Sequence, residues 1–249
     1  MLLKATNMCK HFDGIKAVDG VDFKISRGQI KSIIGPNGAG KTTFFNLVAG
    51  LFLPTAGQIT YRGRDITRRK IHQRTLLGIT KTFQITHIFP DLSVYENVRI
   101  AAQSKLTQFN FWGRVPRLKE VDRIAHEILE DIGLQESGGR PAAELSHGEK
   151  RYLEIGLALA TRPELLLLDE PTAGMSPSET LAATAFIKRI FDNLKLTIML
   201  IEHDMSVVMD ISHDITVLCE GKILAEGTPA EISANASVQA VYLGGQRHA

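Results

Sequence analysis

The chain has 249 residues, 44% of them hydrophobic and 22% charged, and its formal net charge is +2. These values are those of an ordinary globular protein, and so small a net charge gives no electrostatic reason to expect a nucleic-acid partner. No stretch of sequence approaches the roughly 18 apolar residues of a membrane-spanning helix. Lys4, Asn7 and Lys10 interrupt the N-terminus before a secretory signal can form. The distant Cys9 and Cys219 fit a reduced, cytosolic chain.

The first predicted elements are antiparallel strands. The segment "AVDGVDFKISRGQIKSIIG", residues 17–35, alternates apolar and polar side chains and has glycines where turns are expected. After a predicted helix, "AGQITYRGRDI", residues 56–66, continues the same pattern. We therefore expect an antiparallel β-sheet in this part of the chain.

A phosphate-binding loop lies between these strands. The segment "GPNGAGKTT" follows the β-prone "QIKSII" and precedes the predicted helix "TTFFNLVAG", so it has the pattern GxxxxGK(S/T) in the context that this pattern requires. Backbone N–H groups and a helix N-terminus surround the phosphates in such a loop, the lysine reaches the β- and γ-phosphates, and the hydroxyl faces Mg²⁺. A glycine turn that precedes a lysine by chance is the alternative. The residues expected to line the nucleotide are Gly35, Asn37, Gly38, Ala39, Gly40, Lys41, Thr42 and Thr43.

A basic run, "RGRDITRRKIHQR", covers residues 62–74. Most runs of this kind form a solvated face, and we expect one here. Contact with anionic lipid headgroups or with a partner is the alternative.

The region from about residue 85 to 160 is rich in helix patterns. The segment "RLKEVDRIAHEILEDIGL" has apolar residues at positions 121, 124, 128 and 129 and ends near Gly133. In "LSHGEKRYLEIGLALA", Ser146 and Glu149 have the spacing of a capping box, and apolar residues recur with helical period after them. We expect a helical subdomain here.

Two acidic residues end a strongly apolar segment, "PELLLLDEP". This composition is typical of a central parallel strand, whose carboxyl end opens on the ligand crevice. Asp169 is then the expected Mg²⁺ carboxylate, and Glu170 is placed to act as general base on a water. A solvated acidic turn is the alternative. His203 follows another apolar strand, "LTIMLI", although a lone histidine is more often a packed residue.

Three further segments, "KTFQ", "LSHGEKRYLEIGLALA" and "IEHD", resemble the nucleotide-binding subunits of ATP-binding cassette (ABC) transporters, and the resemblance spans nearly the whole chain. It implies an α/β fold, a P-loop NTPase with a RecA-like core, an antiparallel β subdomain and an inserted helical subdomain. A single domain, 1–249, would then comprise the core and β subdomain in 1–84 plus 161–249. The helical subdomain would cover 85–160 and carry the signature segment "LSHGE".

The resemblance also implies roles for individual residues. In that family two subunits face each other head to tail, and ATP with Mg²⁺ lies between the phosphate loop of one and the signature segment of the other. Gln84 would sense Mg²⁺ and water and link the site to the membrane partner, while His203 would contact the γ-phosphate. Ser146 and Gly148 would touch the γ-phosphate of the nucleotide held by the opposite subunit.

Two positions depart from the usual family pattern. The signature is LSHGE where LSGGQ is common, so a histidine replaces a glycine and Glu149 replaces a glutamine whose amide makes a polar contact. The aromatic expected to stack on adenine is Phe12, where tyrosine is usual, which keeps the π face and loses the hydroxyl. An ordinary core aromatic is the alternative for Phe12.

The segments "GITKTFQITHIFPDLSVYENV", "LATRPELLLLDEPTAGMSPSET" and "YLGG" most resemble the ATPases of branched-chain amino-acid importers. Urea and amide importers, lipopolysaccharide export and a non-transport ABC ATPase are the alternatives. The importer resemblance implies permease subunits, a second identical or related ATPase, indirectly a solute-binding protein, and a peripheral position on the cytoplasmic face of the inner membrane. We expect Ile85, Ile88, Phe89 and Tyr95 to form the apolar groove that the permease contacts.

Overall fold

The computed structural model describes residues 1–82, 88–106 and 114–244. Its strands are β1 Leu3–Phe12, β2 Ile15–Ile25, β3 Ile30–Ile34, β4 Ala56–Tyr61, β5 Arg64–Asp65, β6 Ile79–Lys81, β7 Leu165–Asp169, β8 Thr197–Ile201, β9 Asp214–Cys219 and β10 Lys222–Gly227. Its helices are α1 Lys41–Ala49, α2 Ile71–Leu77, α3 Val94–Leu106, α4 Arg114–Asp131, α5 His147–Ala160, α6 Pro177–Leu194, α7 Met205–Ile211, α8 Pro229–Ala234 and α9 Ala236–Gly244.

A six-stranded sheet of order β10-β9-β3-β8-β7-β6 forms the centre of the molecule. All its neighbours pair in parallel except the edge hairpin β9–β10. Helices cover both faces, which explains why β7 is apolar at every position before its terminal aspartate: Leu165 and Leu167 face one hydrophobic cluster, and Leu166 and Leu168 face the other. The carboxyl ends of β3, β7 and β8 therefore open at one edge of the sheet.

A separate antiparallel sheet confirms the prediction for residues 17–25 and 56–65, but residues 30–34 of the first predicted segment form β3 of the parallel sheet, because they are buried on both faces. The antiparallel sheet has the order β2-β1-β4-β5 and pairs antiparallel throughout. Its apolar face packs on α1, where the rings of Phe23 and Phe44 meet edge to face with centroids 5.2 Å apart. The strands thereby hold the helix that starts at the phosphate loop against the central sheet.

The opposite face of the central sheet shares its hydrophobic cluster with α3, α4, α5 and α6. The helices predicted in the segments 117–134 and 145–160 are present as α4 and α5, and the apolar positions 121, 124, 128 and 129 are all buried. No helix in the described ranges is long and apolar enough to cross a membrane. The subdomain boundaries 1–84, 85–160 and 161–249 stay a prediction.

The basic run differs from the predicted solvated face at one residue. Arg74 is fully buried, because its guanidinium group donates to carbonyl oxygens at the end of α1 and in the loop before α2. A cation at the C-terminus of α1 also favours the helix dipole. Arg74 donates, at 2.7 to 3.0 Å, to the carbonyl oxygens of Leu47, Val48, Ile66, Thr67 and Arg69. The other basic residues from Arg62 to Lys70 are exposed as expected.

Candidate nucleotide site

The loop between β3 and α1 has a backbone that only glycine can adopt at two positions. A Cβ atom on Gly35 would lie 2.1 Å from the carbonyl oxygen of Leu218, and one on Gly40 would lie 2.1 Å from that of Ala17. Both residues also have positive φ, 151° and 94° respectively. The two glycines thus let the loop pass close to neighbouring backbone and turn directly into α1.

The start of α1 is prepared for an anion. Gly40 is the N-cap residue and no side chain caps the helix, so the first N–H groups are left for a ligand. Lys41 is 6% exposed, and its ammonium donates to the carbonyl oxygens of Gly35 and Pro36 at 2.7 and 2.9 Å. Burial lowers the pKa of Lys41, and the charge of Glu170 partly opposes that shift. Thr42 is exposed at the mouth of the loop.

Three loop residues that the pattern selects differ in their exposure. Asn37 and Gly38 are exposed, whereas Ala39 is 2% exposed and belongs to the hydrophobic cluster around α1. Ala39 therefore offers a ligand only its backbone. Thr43 is half-buried on the first turn of α1.

Asp169 ends β7 and is 1% exposed. The ammonium of Lys81 lies 3.0 Å from its Oδ2 and donates at 2.6 Å to Asn46 Oδ1 on α1. Oδ2 of Asp169 is thus ion-paired with Lys81, whereas Oδ1 has no partner among the described residues, and a buried carboxylate oxygen without a partner is costly unless a ligand, ion or water uses it. This donor set fits Mg²⁺, which prefers one or two carboxylates together with hydroxyl and phosphate oxygens.

Glu170 and His203 meet at the same edge of the sheet. The Nε2 atom of His203 lies 2.9 Å from Oε1 of Glu170. Glu170 has φ 50°, in the left-handed region, which costs a residue with a Cβ roughly 1–3 kcal/mol and is typical of functional positions. Its N–H donates to the carbonyl oxygen of Ile201 at 2.9 Å, which fixes the turn to the end of β8.

Two charged residues that the sequence reasoning missed, one partly and one fully buried, hold this turn. Arg151 on α5 donates to the carbonyl oxygens of Asp169, Glu170 and Pro171. Glu202, 3% exposed, accepts from the N–H and hydroxyl of Thr172 and from the N–H of His203. The chain therefore fixes the backbone of both predicted catalytic residues.

The signature segment forms a helix start of a different kind. Ser146 caps α5 and accepts from the N–H of Glu149 at 3.3 Å, while Glu149 Oε2 accepts from the N–H of Ser146 at 2.8 Å, so the predicted capping box is confirmed. These hydrogen bonds lower the pKa of Glu149. Ser146 and His147 are exposed and Gly148 is half-buried. Within the described ranges, none of them makes a hydrogen bond or ion pair with the phosphate loop.

Phe12 ends β1 and is 38% exposed. Its ring packs edge to face on Phe52 with centroids 5.6 Å apart, and the ammonium of Lys10 lies 4.9 Å from its centroid. The exposed part of the ring is accessible to a base. Gln84, the remaining predicted site residue, lies outside the described residues.

A glycine loop between a parallel strand and a helix, with an aspartate and a glutamate at the end of a nearby parallel strand, defines a P-loop nucleoside triphosphatase. The sequence matches the family described as "ABC transporter" over residues 18–173, more than half of the chain. The chain belongs to the ABC transporter family, as an ATP-binding, ATP-hydrolysing subunit. Residues 222–248 also match the family described as "Branched-chain amino acid ATP-binding cassette transporter".

The chain aligns with its curated relatives over almost their whole length. The chain is 39% identical to the high-affinity branched-chain amino acid transport ATP-binding protein BraF of Pseudomonas aeruginosa over 250 residues, which covers 98% of both proteins. It is likewise 39% identical to LivG of Escherichia coli, with the same coverage. A probable LivG of Archaeoglobus fulgidus is 34% identical over 98% of this chain.

Solved structures agree with this membership. The ADP conformation of an ATP-binding cassette of an ABC transporter superposes with a TM-score of 0.85 at 29% identity and covers 98% of both chains. A dimeric post-hydrolysis cassette bound to ADP and phosphate has a TM-score of 0.75 at 25% identity, over 92% of this chain and 99% of that one. The fold predicted from the resemblance is confirmed.

Proposed function

We propose that this chain hydrolyses ATP to power an importer of branched-chain amino acids, attached peripherally to the cytoplasmic face of the inner membrane. The 2.9 Å contact between Glu170 and His203 beside the phosphate loop carries the catalytic part of the proposal. The names of the relatives BraF and LivG support the solute. No residue of an ATPase subunit is required to contact the transported solute, so the assignment of the solute rests on sequence similarity to these relatives.

The chain's own groups suit an in-line attack of water on the γ-phosphorus. Glu170 accepts a proton from the attacking water as the new P–O bond forms, and the bond to the β-phosphate oxygen breaks. His203, 2.9 Å from Glu170, orients that carboxylate and donates to the γ-phosphate. Lys41 and the N–H groups at the start of α1 hold the charge that develops on the phosphate oxygens.

Thr42 and Asp169 would hold Mg²⁺ directly or through water, together with Gln84. The metal supplies neutralisation of phosphate charge when it is bound. Asp169 is suited to this role because it is buried and its Oδ1 has no partner among the described residues. Lys81 keeps that carboxylate aimed from the side of β6.

A second ATPase subunit completes the site. Ser146 lies at an exposed helix N-terminus, and a helix N-terminus favours a bound phosphate group. The dimeric cassette that this chain resembles gives a precedent for the pairing. ATP held between the phosphate loop of one subunit and Ser146 and Gly148 of the other would close the dimer, and product release would reopen it.

The permease would contact a groove of about 430 Å³ between α2, α3 and α5. Phe89 and Ile100 line this groove and are 52% and 36% exposed, which is typical of a contact surface. Tyr95 differs from the prediction. It packs against the helical cluster and donates to Asp122 Oδ1 at 2.8 Å, because its position on α3 faces α4. Ile88 packs against the same cluster, and Ile85 lies outside the described residues.

The test is affinity capture of the tagged protein from solubilised native membranes, followed by uptake of radiolabelled leucine in cells that carry the wild type or Lys41→Ala. We expect two multi-spanning permeases and a second ATPase in the captured material, and leucine uptake that the variant abolishes. Capture of ribosomes or nucleic acid without a membrane protein would contradict transport. Captured permeases with unaffected leucine uptake would contradict the solute.

A further inference from the structure

Arg151 lies on α5, five residues after the signature serine, and its side chain is 14% exposed. Its Nε donates to the carbonyl oxygen of Pro171 at 3.1 Å. One terminal nitrogen donates to the carbonyl oxygens of Asp169 and Glu170 at 3.1 and 2.5 Å. A single guanidinium group thus holds three successive carbonyl groups of one turn.

The other terminal nitrogen of Arg151 donates to Glu154 Oε2 at 2.7 Å, and Glu154 is 8% exposed. The ion pair joins two residues on one face of α5, so it fixes the guanidinium plane relative to the helix. The planar fork of arginine then presents its remaining donors in one direction. Glu154 therefore orients Arg151, and Arg151 orients the turn.

The clamped turn is the one that carries the general base. Glu170 has φ 50°, a conformation that a residue with a Cβ rarely adopts and that persists only when its surroundings enforce it. Two further hydrogen bonds, from Glu170 N–H to the carbonyl oxygen of Ile201 and from Thr172 to Glu202, hold the N–H side of the turn. Arg151 holds its carbonyl side, where the N–H of Ala173 also donates to the carbonyl oxygen of Glu170 at 3.2 Å.

We propose that Arg151 is a positioning residue for the hydrolysis. It keeps Glu170 in the left-handed conformation that aims the carboxylate at water, and it joins this turn rigidly to the helix whose N-terminus Ser146 occupies. Contact of Ser146 with the nucleotide of the opposite subunit then bears on the general base of its own subunit. This inference rests on the proposed ATPase function.

The experiment compares Arg151→Gln, Arg151→Lys and Glu154→Gln with the wild type. Turnover is measured against ATP concentration, at a protein concentration high enough that a further increase no longer raises turnover per subunit. Arg123→Gln is the matched control, because Arg123 forms comparable helical ion pairs with Glu120 on an exposed face of α4. ATP affinity and ATP-dependent dimerisation are measured for Arg151→Gln combined with Glu170→Gln, which slows hydrolysis and separates assembly from chemistry.

We expect Arg151→Gln to lower kcat about 30-fold, since misplacing a catalytic group by a fraction of an ångström is costly. KM, ATP affinity and dimerisation should stay within about twofold, and the Hill coefficient for ATP should fall toward 1. Arg151→Lys keeps the charge but loses the planar fork of donors, so its kcat should lie between that of the wild type and that of Arg151→Gln. Glu154→Gln should lower kcat about threefold.

A kcat of Arg151→Gln within twofold of wild type would overturn the inference, and so would a joint loss of kcat, ATP affinity and dimerisation. An unchanged Hill coefficient would overturn the link to the signature helix. If Arg151→Gln does not fold, Arg151→Lys and Glu154→Gln decide, since full turnover in both would contradict the positioning role. A wild type that does not hydrolyse ATP at all would instead overturn the proposed function.

Discussion

The phosphate loop and the signature segment both place a helix N-terminus where an anion can bind, and they do so in opposite ways. The loop lies against the central sheet, has no side-chain cap at Gly40, and holds Lys41 almost fully buried. The signature helix is capped by its own side chains, since Ser146 and Glu149 form a reciprocal box, and its first residues face solvent. The phosphate loop is therefore preformed within one chain. The first turn of the signature helix is instead capped by its own side chains until a second subunit binds.

Because of this difference, one chain can bind ATP in one region and control hydrolysis from another. A preformed, uncapped loop binds phosphate without cooperation from a partner. A capped and exposed helix start contributes only when a second subunit brings its nucleotide to it. Changes in the loop should therefore weaken binding itself, whereas changes in the signature should leave binding intact and weaken turnover.

The largest effect on binding is expected for Lys41→Ala. Loss of a buried ammonium next to the phosphates should weaken ATP affinity about 100-fold, because hydrogen bonds between charged groups are the strong ones. Titration with a fluorescent ATP analogue measures this, and Lys188→Ala, which breaks only the exposed pair with Asp210, is the control. Unchanged affinity in Lys41→Ala would contradict the assignment of the loop.

Ser146→Ala should lower turnover about 10-fold or more while the ATP affinity of the monomer stays unchanged. Ser176→Ala is a matched control, because Ser176 and Glu179 form the same capping box at the start of α6. Both variants should lose about 1 kcal/mol of stability through the cap. Steady-state hydrolysis distinguishes them, and equal turnover in the two would show that Ser146 serves only its own helix.

Phe12→Ala should weaken ATP affinity about fivefold, the range expected for one aromatic stacking contact. GTP affinity should fall by a similar factor, since a π face without a hydroxyl does not discriminate between bases. Ile15→Ala, a neighbouring residue that is 71% exposed, controls for surface changes. If both variants bind ATP like the wild type, Phe12 is a packing residue.

The smallest effect concerns Glu149. Its pKa is lowered in the folded protein by hydrogen bonds from Ser146, so it contributes stability above the unfolded value of 4.5 and loses it as the pH falls below that value. Glu149→Gln should lower the free energy of unfolding by about 0.5 kcal/mol at pH 7 and should flatten its pH dependence below about pH 5. Urea unfolding at several pH values checks this, and a parallel, undiminished pH dependence in the variant would refute it.

Most of the fold could be predicted because its signals are local. Gly35 and Gly40 are glycines because neighbouring backbone approaches them closely. The capping boxes follow from residue spacing alone. The apolar run before Asp169 reflects burial of its strand on both faces. Each of these features can be recognised from a few neighbouring residues of the sequence.

What the sequence did not reveal depends on contacts between distant elements. Arg74 stands among exposed basic residues and differs from them only because the carbonyl groups of α1 meet it in space. Lys81 and Arg151 likewise act on Asp169 and on the turn that follows it from other parts of the chain. Lys81 belongs to the recognised segment "KTFQ" and Arg151 to the recognised segment "LSHGEKRYLEIGLALA", but neither segment indicates which distant residue these side chains contact.

The most direct test of the account is the association state of Glu170→Gln, measured by sedimentation with ATP and with ADP in the presence of Mg²⁺. We expect a stable dimer in ATP, a monomer in ADP and a turnover reduced by about 1,000-fold or more, because binding and closure remain while the general base is lost. A variant that stays monomeric in ATP would contradict the division between the two helix starts. Appreciable turnover in the same variant would remove Glu170 from the role of general base.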